Sequence, residues 1–171
     1  MNLSMKVDNP FKAISKASFW TVQDSRKLGL NTIAQIKLRT SRGLDADLEP
    51  FRDYSIKPIY VRLDNPRLTP KGGRVSRSKQ SMYFIGGYEE YKAKSRKKRG
   101  SEVDLILSGN MMNNFILIKA TKTGFTIGIQ ANIDYAHDVN NTREFMGLNA
   151  KDAKIINDAI EYDIQDRINK S

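Results

Sequence analysis

The sequence predicts an α+β domain: a small, largely antiparallel β-sheet, a helical segment before it, a helix packed on it, and a long basic loop inserted between. Three observations carry this. Residues 115–121 (FILIKAT) and 125–130 (FTIGIQ) are strand-forming runs separated by Lys122-Thr123-Gly124, which reads as a hairpin. Apolar residues recur at three and four through Ala153, Ile156, Ile160, Ile164 and Ile168, which is helix period. Eleven of the 29 Lys and Arg fall between Arg67 and Arg99, against only Glu89 and Glu90, so nine of the ten net positive charges lie in one stretch.

The elements follow in chain order. Asn9-Pro10 suits a helix start, with Asn as N-cap and Pro in the first turn. Phe11, Ile14, Ala17 and Val22, with Phe19 and Trp20 beside them, give an apolar face to about Leu28, where Gly29 ends or kinks the helix. Leu30, Ile33, Ala34, Ile36 and Leu38 continue helical spacing, and Lys37, Arg39 and Arg42 suit a C-terminal end. Residues 1–42 are thus a helical arm, which either packs on the sheet of its own chain or reaches a neighbouring subunit.

Gly43 to Asp47 turns the chain, and Pro50 and Pro58 argue against a helix around Phe51 and Tyr54. Residues 59–63 (IYVRL) make a short strand. Residues 64–100 have the composition of a basic loop, with Pro66, Pro70, Gly72, Gly73 and many cations and serines. Residues 101–171 hold the sheet and the closing helix. That helix starts near Ala150, after Asn149 as N-cap and with Asp152 in the capping-box position.

The chain of 171 residues suits one domain. With 39% hydrophobic and 28% charged residues, it fits a compact core carrying solvated arms. No run approaches the roughly 18 apolar residues of a membrane span. The first residues lack the apolar core of a secretory signal. There is no cysteine, so disulfides and thiolate chemistry are excluded.

Catalytic patterns are sparse, and a non-enzymic protein without metal or cofactor is expected. The single histidine, His137, cannot build a histidine metal cluster and reads as structural or surface. Asp45, Asp47 and Glu49 lack the rest of a calcium loop. Gly72-Gly73 and Gly86-Gly87 belong to no phosphate-binding motif. The basic stretch is the main pointer to a partner. Arg67, Lys71, Arg74, Arg77, Lys79, Lys92, Lys94, Arg96, Lys97, Lys98 and Arg99 can neutralise phosphates, with Tyr83, Phe84, Tyr88 and Tyr91 available for stacking. Alternatively the aromatics pack beneath the loop and the cations are simply solvated.

Three segments resemble the virion morphogenesis proteins of tailed bacteriophages, of the Mu-like type, and the related tail-completion or head–tail joining proteins. The first is Arg42-Gly43-Leu44-Asp45-Ala46-Asp47 with Pro50-Phe51 and Tyr54-Ser55, where Leu48 takes the place of a glycine in the pattern. The second is Val103-Asp104-Leu105 with Leu107-Ser108-Gly109-Asn110-Met111-Met112. The third is Ile127-Gly128-Ile129, Tyr135-Ala136 and Arg143-Glu144-Phe145-Met146-Gly147-Leu148. The order holds over residues 39–170, interrupted by the basic stretch.

The resemblance implies a structural virion protein at the neck or upper tail, assembled in the host cytoplasm and acting as a ring subunit, usually a hexamer. Its implied partners are copies of itself, connector or head-closure proteins, tail-tube or tail-terminator proteins, and genomic DNA in the lumen. It implies no membrane partner. Ring closure requires two unlike surfaces on each subunit. Arg143 and Phe145 are candidates for one of them, or for an intrachain strut. The alternative reading is a nucleic-acid-binding protein that uses the basic residues of 67–99.

Overall fold

A computed structural model of the chain describes residues 3–8, 20–96, 103–130 and 135–170, and its architecture is α+β. The expected hairpin is present. Strands β5 (Phe115–Thr121) and β6 (Gly124–Ile129) pair antiparallel from Phe115 with Ile129 to Thr121 with Gly124, with an irregularity between Leu117 and Lys119. An N-terminal strand that the sequence did not announce, β1 (Ser4–Asp8), adds to the other edge of β6 in the order β1-β6-β5. The helix expected to start at Asn9-Pro10 falls on residues outside those described.

Helix α1 (Val22–Ser41) starts on a capping box. The Asp24 amide donates to Thr21 Oγ1 at 3.3 Å, and the Thr21 amide donates to Asp24 Oδ2 at 2.8 Å. It runs through Gly29, which neither ends it nor separates two helices. A Cβ on Gly29 would stand 2.6 Å from Leu117 Cδ1 and 3.1 Å from the Phe125 ring. The missing side chain therefore lets α1 lie close against β5 and β6, with Leu28, Ile33 and Ile36 buried around the crossing.

Helix α5 (Ala150–Asn169) starts as expected, on a capping box of Asn149 and Asp152. It buries Ile156 and Ile160 in the same core. Two ion pairs tie α1 and α5 together antiparallel. Arg39, in the last turn of α1, pairs with Asp152 at the start of α5, and Arg167, in the last turn of α5, pairs with Asp24 at the start of α1.

The segment expected to be a basic loop is folded over its described part. Strands β2 (Ile59–Arg62), β3 (Arg74–Val75) and β4 (Ser81–Phe84) form a second antiparallel sheet in the order β2-β4-β3. Helix α2 (Gly87–Ser95) packs on it. Val61, Phe84 and Tyr91 make a second core beneath, and burying Phe84 alone contributes roughly 2 kcal/mol. Composition misled here because the apolar positions are few and short. On β4 only Met82 and Phe84 turn to this core. A short helix α3 (Asn110–Asn113) and helix α4 (Tyr135–Thr142) complete the described chain.

Candidate functional site

The site grows from a junction of three loops. The turn after α1 is built by Asp45, whose Oδ1 accepts from the amides of Asp47 at 2.9 Å and Glu49 at 3.0 Å. That carboxylate shapes a turn, as Asp side chains do. Leu48 sits in the turn at φ 71, the left-handed region that favours glycine. The turn docks on the loop before α5. The Ala46 amide donates to the Glu144 carbonyl at 2.7 Å, and Asn149 Nδ2 donates to the Ala46 carbonyl at 2.7 Å. From below, Arg39 Nη2 donates to the carbonyls of Phe145 at 2.8 Å and Gly147 at 3.0 Å. Gly43 meets the second motif, since a Cβ there would lie 3.1 Å from the Val103 carbonyl oxygen at φ 79.

Phe145 is fully buried, edge-on to Phe115 at 6.4 Å between ring centroids. It is a core residue and offers no surface to a neighbouring subunit, which corrects the expectation that it lines an interface. Arg143 is half-buried. Its Nε donates to the Arg52 carbonyl and its Nη2 to the Asp53 carbonyl, each at 3.0 Å, and its guanidinium lies 5.0 Å from the centre of the Tyr54 ring. Arg143 is thus an intrachain strut.

Beside the strut opens a cleft of about 900 Å³ between residues 52–57, the 105–111 loop and α4. Tyr54, Tyr88 and Tyr135 wall it, and Leu105, Leu107 and Met111 supply apolar lining. Arg67 crosses it with its guanidinium 4.1 Å from the centre of the Tyr135 ring. Burial raises the hydroxyl pKa of Tyr54 and Tyr88, so both stay neutral hydrogen-bonding groups.

The cations named from the sequence divide into two groups. Lys92 is fully buried, so it faces no partner. It donates to Asp104 Oδ1 at 2.5 Å and to the Tyr54 hydroxyl at 2.8 Å. Arg96 also binds Asp104, at 2.9 Å, and the Ile106 carbonyl. Lys94 pairs with Glu90 at 2.5 Å. Lys92 and Arg96 hold α2 against the 104–106 segment, whereas Lys94 bonds within its own helix and to the nearby Gly72 carbonyl. Arg67, Lys71, Arg74, Arg77 and Lys79 are exposed and carry no salt bridge. Lys97, Lys98 and Arg99 lie outside the described residues.

Of the aromatics offered for stacking, Phe84 and Tyr91 are core, and burial pushes the Tyr91 hydroxyl up to about 12. Tyr83 is half-buried and stands beside Tyr60, an exposed ring that the sequence reading passed over because it lies before the basic stretch. His137 is exposed on α4, its Nδ1 3.0 Å from Asn141 Nδ2. Among the described residues no group of three or more His, Asp or Glu could hold a metal ion, and no helix is long and apolar enough to cross a membrane.

No protein-family model, curated protein or solved structure matches this chain.

Proposed function

We propose that the chain is a structural protein of a tailed-bacteriophage virion, a ring subunit at the neck or upper tail that serves tail completion and head–tail joining. One observation carries the reading. The three segments that resemble the morphogenesis family are far apart in sequence, yet they form one junction. Ala46 is bonded to Glu144 and to Asn149, Arg39 is bonded to the loop of Phe145 and Gly147, and Gly43 abuts Val103. A further detail agrees with it. Leu48, which stands where the family pattern has glycine, is in the left-handed region that glycine favours.

In this reading the junction is the rigid frame of the subunit, and the second sheet with its exposed cations is a separate surface beside it. The frame sets the angle between the surfaces that meet the two neighbours in a closed ring, hexameric in this proposal. Head-closure or connector proteins lie on one side and tail-tube or terminator proteins on the other. The test is localisation. An epitope placed after Ser171 and labelled with gold on intact particles should mark the junction of head and tail. Label along the tail, or at its tip, would contradict the assignment.

A further inference from the structure

The second sheet has one open face, and its residues are set by register. Tyr60 pairs directly with Tyr83, and Tyr83 pairs with Arg74 on its other side. Directly opposed residues share a face, so Tyr60, Tyr83 and Arg74 form a row across all three strands. The opposite face, with Val61 and Phe84, is the one in the core. The open row is aromatic and cationic. Tyr60 is 69% exposed, and its ring centroid is 4.9 Å from that of Tyr83.

Charge complements the rings. From Asn65 to Tyr88 the sequence has no carboxylate but has Arg67, Lys71, Arg74, Arg77 and Lys79. The β3–β4 hairpin presents Arg74 on its strand and Arg77 and Lys79 in its turn, held by the Ser76 amide donating to the Ser81 carbonyl at 2.9 Å and the Lys79 amide donating to the Ser76 carbonyl at 2.9 Å. Nearest on the same face, Arg62 is already neutralised by Asp64 at 2.6 Å. The positive potential is therefore concentrated at the hairpin side of the row.

We infer that this face binds single-stranded nucleic acid. Unpaired bases stack on the Tyr60–Tyr83 row while Arg74, Arg77 and Lys79 follow the phosphates. An open sheet with one exposed ring, Tyr60, beside a half-buried one, Tyr83, offers flat apolar surface of base size, and every base has a π-face to use it. A duplex keeps its bases stacked on each other and could use the cations alone. An acidic polypeptide would also meet the cations, but carboxylates gain little from two ring faces that are negative at their centres. The inference does not depend on the virion reading, since it concerns only the second layer.

The test is fluorescence anisotropy of the full chain with labelled dT20, with a 20-base-pair duplex, and with labelled polyglutamate. The expected result is preferential binding of dT20, with log Kd against log salt changing by a slope of about 2 for three neutralised phosphates. Tyr60→Ala should weaken dT20 about tenfold. Arg77→Glu with Lys79→Glu should weaken it further and flatten the salt slope. Thermal melts within a few degrees of the parent would show that these exposed changes leave the fold intact. Equal or tighter duplex binding that Tyr60→Ala does not alter would overturn the inference in favour of backbone contact alone. Binding of polyglutamate but not of dT20 would overturn it in favour of an acidic protein partner.

Discussion

Lys92 and Asp104 meet in the interior, Nζ to Oδ1 at 2.5 Å, with Lys92 fully buried and Asp104 1% exposed. The pair joins α2 to the segment that carries the second resemblance motif, with the Lys92 ammonium also 4.4 Å from the centre of the Tyr54 ring. Removing Lys92 takes from Asp104 the more deeply buried of the two cations that bind it, Arg96 being the other. Lys92→Ala should therefore lower the unfolding free energy by up to about 3 kcal/mol, the low end for breaking a buried pair, because Arg96 stays on the carboxylate. Lys92→Met combined with Asp104→Leu should recover part of that loss, because both fully buried charges go together while Arg96, which loses the carboxylate, keeps the Ile106 carbonyl and some solvent. Urea titration of the three proteins checks this, and a loss under 1 kcal/mol for the single variant would contradict the buried pair.

Acid should act through two carboxylates. For Asp104, burial raises the pKa, but hydrogen bonds from Lys92, the Ile106 amide and Arg96 outweigh it and hold the group below 3.8. For Asp24, burial is likewise outweighed by hydrogen bonds from Arg167 and Thr21. A depressed carboxylate contributes stability that is present above its unfolded value and is lost as pH falls through the folded one. Stability should thus fall steeply below about pH 4, the unfolded carboxylate range. Asp24→Asn should lower stability at pH 7 and flatten the acid limb. An unchanged limb would remove Asp24 from the account.

Leu48 at φ 71 holds a conformation that costs a side-chain-bearing residue about 1 kcal/mol, and it is exposed, so little packing is lost with it. Leu48→Gly should therefore be neutral or stabilising by up to about 1 kcal/mol, despite the greater freedom glycine gives the unfolded chain. A thermal melt decides. Clear destabilisation would mean that Leu48 makes an apolar contact the turn requires.

Gly128 lies on β6 directly opposite Ser4 of β1. A Cβ there would stand 2.8 Å from Ser4 Cα and would collide with the Leu3 carbonyl, both of them backbone. Gly128→Ala should push β1 off the sheet and expose its edge. Hydrogen exchange at residues 4–8 and at the β6 amides facing them should rise by an order of magnitude or more, while the β5–β6 pairing stays protected. Unchanged protection at Met5 and Val7 would contradict that close approach.

Much of the first layer was legible. The β5–β6 hairpin and α5 announce themselves by period, and Asn149 with Asp152 marks the helix start because the capping box is local in sequence. Gly29 was misread because the rule that glycine ends helices is also local, whereas Leu117 and Phe125, which make that glycine useful, lie far along the chain. β1 was missed because Met5 and Val7 are too few to show a pattern without β6 beside them. The second layer was hidden by its charge. Lys92 reads like its neighbours in the sequence, and only the approach of Asp104 separates it from the exposed cations. Arg143 remained open between strut and interface until the carbonyls of Arg52 and Asp53 came within reach, and Phe145 proved to be core for the same tertiary reason.

Electron microscopy of lysates from a phage lacking this gene tests the central claim most directly. The account predicts DNA-filled heads lying beside separate, complete tails, with joining restored when the protein is supplied in trans. Normally joined particles would contradict a role at the head–tail junction.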